Sequence, residues 1–297
     1  MHNALIIEGV FPSVINALHT QSDVGHHPHP QVIMAYLELT VRYARTSTNE
    51  ALSIAVSLMV GTQGLRHKDP QVRSRSAYLF FRLTEALAVE GRAAMLLPCI
   101  GSFGDLILSS AATPQQANAG TMLSEQEELY VLEAVGLMTS AVHTPASPSD
   151  VGTAAAGGSL TTSTKQTQLL SDMVSHLRSQ ILTIASHPER AQYAHELGCL
   201  VAHKISSLGA LAKGHSYKRA VGAYGSPQSS GCGGSAVQFF APAVDDVAVV
   251  VNLFGPTEVC KPFYSENKFS ILLHIYINCT NFVVFHTLAS IPLIHYF

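Results

Sequence analysis

The stretch 67-HKDPQVRSRSAYLFFRLTEAL-87 combines a helix start, three arginines and a long apolar segment. Asp69 is a favourable N-cap, because its carboxylate can accept a backbone N–H of the first helical turn. Pro70 follows at a position where the missing N–H costs no hydrogen bond. At 100° per residue the aliphatic side chains fall on one stripe, formed by Val72, Leu79, Leu83 and Leu87. The stretch therefore predicts an amphipathic helix that begins at Pro70.

An internal repeat links this helix to the segment 29-HPQVIMAYLELTVRYA-44. Pro-Gln-Val occurs at 30–32 and again at 70–72, and Ala-Tyr-Leu occurs at 35–37 and at 77–79. A period near 40 residues is typical of HEAT and armadillo repeats, in which helix pairs stack into a solenoid. The sequence therefore predicts an all-α protein, an α-α superhelix of helix pairs like a HEAT or armadillo solenoid, over residues 1–252.

Further apolar segments of helical length support this fold class. They lie at 49–65, 92–109, 127–142, 168–186 and, opened by Pro188, 188–212. Their apolar residues recur at spacings of 3 and 4, as expected for one buried face of a helix. The predicted stripes are Val131, Val135, Met138 and Val142; Leu170, Met173, Leu177, Ile181 and Ile184; and Ala194, Leu197, Val201, Ile205, Leu208 and Ala212.

Three segments rich in Gly, Ser, Thr and other small residues interrupt the predicted helices, at 111–124, 144–166 and 214–235. Such a composition buries too little apolar surface to order the chain, so we predict flexible insertions there. The glycines at 231–234 lack the lysine of a GxxxxGK[ST] phosphate loop. We therefore interpret all three segments as connections between helices.

The chain changes character after residue 252. The stretch 269-FSILLHIYINCTNFVVFHTLASIPLIHYF-297 contains no Asp, Glu, Lys or Arg. Its length would suffice for a membrane span, but Asn278, Asn281 and three histidines interrupt it and no basic anchor follows. We expect residues 253–297 to be an apolar tail unrelated to the solenoid, such as a translated intron, and we do not expect membrane association.

Charge is distributed unevenly around a formal net charge of −3. That sum argues against a generically basic nucleic-acid-binding protein. Residues 65–92 carry six basic and three acidic side chains, residues 105–150 carry six acidic and no basic ones, and residues 165–219 carry seven basic and three acidic ones. These blocks are either faces of opposite sign or ordinary solvated helix surfaces, and both interpretations remain open.

Motifs of catalysis and metal binding are missing from the sequence. The five cysteines are widely spaced without a CxxC pair, which indicates neither a disulfide framework nor a zinc site and favours a reducing compartment. His26, His27 and His29 cluster in HHPHP, but the prolines on both sides of His29 give no fixed ligand geometry. No GxSxG or HExxH occurs. We therefore expect no enzymatic activity, no metal and no cofactor.

The segments HPHPQVIMAYLELTVRYA (27–44) and DPQVRSRSAYLFFRLTEAL (69–87) resemble the middle part of the exportin-T family, the tRNA export receptors of the karyopherin-β (importin-β-like) group. The resemblance continues more weakly through LYVLEAVGLM (129–138), ERAQYAHELGCLVAHKISSLGALAKG (189–214) and SSGCGGSAVQFFAPAVDDVAVVV (229–251). It covers most of residues 1–252. The family is far longer than this chain, and its N-terminal Ran-binding repeats have no counterpart here.

This resemblance implies a HEAT-repeat superhelix that binds tRNA, and not DNA, cooperatively with the GTP-bound GTPase Ran. It further implies passage through the nuclear pore in contact with pore proteins, and therefore shuttling between nucleus and cytoplasm. The alternative is an α-solenoid scaffold that binds only proteins.

Candidate tRNA contacts are basic residues at helical spacing, since an A-form stem presents phosphates and 2′-hydroxyls to be recognised by shape. Arg73, Arg75 and Arg82 are the leading candidates, followed by Lys204 and Lys213. Each arginine could instead bridge to an acidic group of the next repeat. Exposure along one stripe would favour RNA binding, whereas burial in ion pairs between repeats would favour the scaffold.

Overall fold

The computed structural model describes residues 29–45, 47–90, 92–108, 123–140, 159–221 and 233–254. In these ranges the regular structure is entirely helical, which confirms the all-α class and the helix-pair architecture. The helices are α1 Pro30–Arg42, α2 Asn49–Val60, α3 Pro70–Val89, a 3-10 helix Ala93–Cys99, α4 Ile100–Leu108, α5 Glu125–Ser140, α6 Ser159–Ala185, α7 Ala194–Val221 and α8 Gly233–Phe254. The chain divides into two compact units, residues 1–147 and 148–297.

The internal repeat produces two helices that begin in the same way. In α1 the Nδ1 atom of His29 accepts the N–H of Gln31 at 3.3 Å. In α3 a carboxylate oxygen of Asp69 accepts the N–H of Gln71 at 2.9 Å. Each helix has a proline in its first turn, and the two helices pack against each other. The predicted helix start at Asp69 and Pro70 is confirmed.

Helix α3 is the central element of the first unit, where it contacts α1, α2, the 3-10 helix and α5. Its predicted stripe is confirmed, because Val72, Leu79, Leu83 and Leu87 are all at most 5% exposed. Phe80 is fully buried beside the stripe. Complete burial of a Leu or Phe side chain stabilises a fold by about 1.5–3 kcal/mol. The apolar face of α3 therefore provides much of the core of this unit.

The second segment of each pair is shorter or more irregular than its apolar composition indicates. Helix α2 ends at Val60, where Gly61 follows. The segment 92–109 forms the 3-10 helix and α4 in succession, with Pro98 inside the 3-10 helix. Pro98 has no N–H to donate, so it cannot take part in a continuous α-helical ladder.

The connection between α2 and α3 depends on Gly64. The N–H of Leu65 donates to the carbonyl of Met59 at 2.7 Å, which draws the chain back over the end of α2. A Cβ atom on Gly64 would lie 2.0 Å from the same Met59 oxygen, a distance that no side chain tolerates. Glycine therefore permits the close approach that places residues 65–69 before α3.

The second unit is built from α6, α7 and α8, each of which packs against the other two. The predicted stripe of α6 is buried throughout, and that of α7 is buried from Leu197 onward, with Ala194 partly exposed. Helix α8 adds Val250 and Phe254 to this core. The predicted start at Pro188 is wrong, because residues 188–193 form turns and α7 begins at Ala194.

Three helices extend into segments that were predicted to be insertions. Helix α6 begins at Ser159, within 144–166, and α7 continues to Val221 while α8 begins at Gly233, both within 214–235. Once an apolar stripe anchors a helix, adding further residues costs little even where composition is unfavourable. Most of the predicted insertions, residues 1–28 with His26 and His27, and residues 255–297 lie outside the described ranges.

Candidate functional site

The arginines of α3 are the first part of the candidate site, and Arg73 differs from the other two. Its Nη1 atom donates to the carbonyls of His67 and Lys68 at 3.0 and 3.1 Å. Its Nε atom lies 3.7 Å from Oε2 of Glu127 on α5, which is an ion pair without a hydrogen bond. The two side chains are only 14% and 2% exposed. Arg73 therefore stabilises the loop that precedes α3 and pairs with a carboxylate on α5. It is not an accessible phosphate contact.

Arg75 is ion-paired between helices and still reaches solvent. Its Nε and Nη2 atoms donate to Oε1 of Glu38 on α1 at 2.9 and 2.6 Å. Its guanidinium carbon lies 5.4 Å from the centre of the Tyr78 ring, within the range of a cation–π interaction. Because the Arg75 side chain is 48% exposed, it can exchange its carboxylate partner for another anion.

Arg82 makes its ion pair within α3. Its Nη1 atom lies 2.6 Å from Oε2 of Glu85, one turn further along, and the arginine side chain is 49% exposed. An exposed pair of this kind contributes about 0–1 kcal/mol to stability. Arg75 and Arg82 are thus the exposed cations of this helix face, and Tyr78 between them is partly buried. We call these three residues the α3 basic flank.

The two lysine candidates lie on α7, in the second unit. Lys204 is 2% exposed, so it cannot meet a phosphate in this conformation and the predicted contact is not supported. Its burial reflects its place on the inner side of α7, between Ala202 and Ile205. Lys213 is exposed near the end of the buried stripe. Of the five candidates, Arg75, Arg82 and Lys213 have side chains that are exposed to solvent.

A second basic cluster was missed by the sequence reasoning. Arg45 and Arg92 share the carboxylate of Glu90, with nitrogen–oxygen distances of 3.6 and 3.5 Å. Arg92 also donates to the backbone carbonyl of Ser47 at 3.2 Å and to the side chain of Asn49 at 2.8 Å. The Arg45 side chain is 63% exposed. Since residues 45 and 92 lie in different repeats, no local spacing could have indicated this cluster.

An aromatic groove of about 640 Å³ adjoins the α3 basic flank. The Tyr78 and Tyr130 rings meet edge to face at 5.6 Å, and Phe81 stacks on Tyr130 at 5.9 Å. The groove is lined by Pro70, Gln71, Ser74, Arg75, Tyr78, Gln126 and Tyr130. The lining therefore combines hydrogen-bonding side chains with the two tyrosine rings.

The described residues contain no cluster of metal ligands, and one of their two cysteines, Cys99, has a raised thiol pKa. No group of three His, Cys, Asp or Glu residues there could hold a metal ion, and His29 instead caps α1. Burial raises the pKa of the Cys99 thiol to about 12, so its thiolate is scarce at neutral pH. Within the same ranges, every helix is too short or too polar to cross a membrane.

The fold and this surface define an α-helical repeat protein with an exposed, ion-paired arginine face. A family model described as Exportin-T matches residues 14–252, and the chain belongs to the exportin-T family. It is 30% identical to exportin-T of Aspergillus clavatus over 208 residues and 29% identical to that of Aspergillus terreus over 207, in each case 66% of this chain and 18% of the relative. Human exportin-T is 30% identical over 119 residues, 39% of this chain and 12% of the relative. The chain thus spans less than a fifth of the length of these relatives.

Proposed function

We propose that this chain is the central part of a nuclear export receptor that binds tRNA cooperatively with GTP-bound Ran and carries it through the nuclear pore. The observation that carries the proposal is the exportin-T family match over residues 14–252. Such a receptor contacts pore proteins and shuttles between nucleus and cytoplasm. Its role is to bind cargo, with no reaction to catalyse.

The α3 basic flank supports RNA as the cargo through its exposed cations. Phosphate contacts by Lys and Arg dominate nucleic-acid affinity and do not depend on sequence. Arg75 and Arg82 lie seven residues apart, two turns along one face of α3, and both are about half exposed. Two such guanidinium groups can follow the backbone of an A-form stem, which is recognised by shape.

Replacing Arg75 and Arg82 by alanine should lower the salt dependence of tRNA binding. Each lost phosphate contact reduces the slope of log K against log salt concentration by about one, so the double variant should lose about one to two. The measurement is fluorescence anisotropy with two different tRNAs, on the chain joined to the N-terminal repeats of the family, with and without Ran bound to a non-hydrolysable GTP analogue. The affinity for both tRNAs should fall by a similar factor, because phosphate contacts do not depend on sequence.

Arg178→Ala is the matched control, because it removes an arginine that is also ion-paired, 2.7 Å from Asp246, but in the second unit. It should leave the slope unchanged. An unchanged salt slope in the Arg75→Ala/Arg82→Ala variant would mean that the α3 basic flank does not contact RNA.

Glu38→Gln should have the opposite effect on RNA affinity. Glu38 neutralises Arg75 and would also repel a phosphate placed there. Removing its charge should therefore tighten tRNA binding, by about two- to fivefold near physiological salt. Glu50→Gln on α2 is the control, since Glu50 is an exposed carboxylate of the same unit outside the flank. Equal effects of the two substitutions would mean that RNA affinity responds to the net charge of the chain and not to the position of Glu38.

The alternative function, a solenoid scaffold for proteins, is favoured by the ion pairs between helices. Arg73 pairs with Glu127 and Arg75 pairs with Glu38, so two of the three arginines bridge different helices. Lys204 is buried as well. If neither tRNA binds in the anisotropy measurement while the chain joined to the N-terminal repeats still binds Ran, the scaffold is the better description.

A further inference from the structure

A groove of about 680 Å³ lies between α6 and α8 of the second unit, and its lining contains no residue of the α3 basic flank. Its walls include Leu182 on α6 together with Val249 and Leu253 on α8. These side chains are 41%, 56% and 48% exposed, and they account for three of the eight large apolar residues that are exposed in the described ranges. The α6–α8 groove is thus an open apolar strip on the second unit.

Two of the four hydroxyl groups around this groove donate to their own helix. The Thr183 hydroxyl donates to the carbonyl of Ser179 at 2.7 Å, and the Ser186 hydroxyl donates to the carbonyl of Thr183 at 3.1 Å. A hydroxyl that donates to a carbonyl of its own helix has no hydrogen left to donate to an occupant of the groove. At Thr183 and Ser186 the groove wall is therefore more apolar than the residue types indicate.

Its two arginines are also engaged. Arg178 donates to Asp246 at 2.7 Å, and Arg190 donates to the carbonyl of Ala185 at 2.9 Å while lying 6.0 Å from the centre of the Phe254 ring. An anionic ligand would have to displace these partners. Asp246 compensates the charge of Arg178, and both guanidinium groups already have hydrogen-bond partners, so the exposed apolar side chains are the groups left to bind an occupant.

We propose that the apolar tail, residues 269–297, docks on the α6–α8 groove of its own chain. The tail has no Asp, Glu, Lys or Arg, so it can cover the exposed side chains of Leu182, Val249 and Leu253 without burying a charge of its own. Helix α8 ends at Phe254, directly after Leu253 of the groove wall. The fourteen intervening residues, 255–268, can span about 45 Å when extended, so the tail can reach the groove from this exit.

Covalent connection favours the tail over a second copy of the chain. A tether of fourteen residues gives an effective concentration on the order of millimolar, far above that of a second copy in dilute solution. Docking would cover Leu182, Val249 and Leu253 and would also remove the uncharged tail from water. This inference does not depend on RNA binding, because no residue of the α3 basic flank takes part.

The test is hydrogen exchange of the full chain followed by mass spectrometry. Leu182→Asp combined with Val249→Asp would place two carboxylates against an uncharged segment, so exchange in peptides from 269–297 should accelerate about tenfold. Ile54→Asp on α2 is the matched control, because Ile54 is 40% exposed and lies in the first unit. It should leave tail exchange unchanged, and thermal unfolding by circular dichroism checks that each variant is folded.

A reciprocal variant keeps the proposal falsifiable if the groove substitutions disturb folding. Val283→Asp combined with Val284→Asp changes only the tail, and it should raise exchange in the groove peptides of α6 and α8. Combining both pairs should add little, because either pair alone already separates the two surfaces. Unchanged exchange in both variants overturns the proposal. So does a dimer that the groove variant dissociates, or a tail that is protected only in the presence of phosphatidylcholine vesicles.

Discussion

Replacing Phe80 by alanine is expected to lower the free energy of unfolding of the first unit by about 3–5 kcal/mol. Phe80 is fully buried on α3, the helix that contacts α1, α2, the 3-10 helix and α5. Truncation removes the transfer free energy of the ring and leaves a cavity that four surrounding elements cannot all close. The measurement is urea unfolding followed by far-UV circular dichroism, since the chain has no tryptophan to serve as a fluorescent probe.

Phe81→Ala is the matched control for this prediction. Phe81 is the next residue on α3, but it is only partly buried and stacks on Tyr130 with an interplanar angle of 24°. Losing an aromatic pair and part of its buried area should cost about 1–2 kcal/mol. Equal losses for the two variants would mean that α3 is not oriented as the structure shows.

Replacing Arg73 by alanine is expected to destabilise the first unit by about 2–3 kcal/mol. Breaking a buried ion pair by removing one partner typically costs about 3–5 kcal/mol, because the other charge stays buried. The cost here should be smaller, since the carboxylate of Glu127 also accepts the N–H of Ser124 at 2.7 Å. The variant also loses the bonds from Arg73 to the His67 and Lys68 carbonyls. Urea unfolding again provides the measurement.

Two further variants separate this structural role from a role in RNA binding. Arg75→Ala, at a half-exposed pair, should cost less than about 1 kcal/mol. Arg73→Met combined with Glu127→Gln removes both charges and should recover part of the stability that Arg73→Ala loses. If Arg73→Ala were as mild as Arg75→Ala, Arg73 would be free to serve as a phosphate contact after all.

Helix α3 shows which features of the fold depend on neighbouring residues alone. Its start could be predicted because the cap and the proline act within one turn, where Asp69 and Gln71 are two residues apart. Its buried stripe could be predicted because a helix repeats every 3.6 residues, so the pattern of Val72, Leu79, Leu83 and Leu87 gives the inner face directly. The same reasoning gave the stripes of α6 and most of α7.

The roles of the charged residues required the tertiary structure. Sequence placed Arg73, Arg75 and Arg82 on one helix as similar cations, but their partners are Glu127 on α5, Glu38 on α1 and Glu85 on α3 itself. Glu38 is 37 residues from Arg75, a separation that no local pattern encodes. Which arginine is buried depends on how α1, α3 and α5 pack, because burial and ion pairing follow from distances between helices.

Local chemistry therefore determined the all-α class, the repeat of Pro-initiated helices and the face that each long helix buries. Packing alone decided that Lys204 lies inside the second unit and that Arg45 meets Arg92 at Glu90. It also decided that Leu182 and Val249 form one open groove. The physical reason is the sequence separation of the interacting residues. Capping hydrogen bonds and apolar periodicity act within one helix, whereas the surface of a repeat protein is formed by side chains from helices that are distant in sequence.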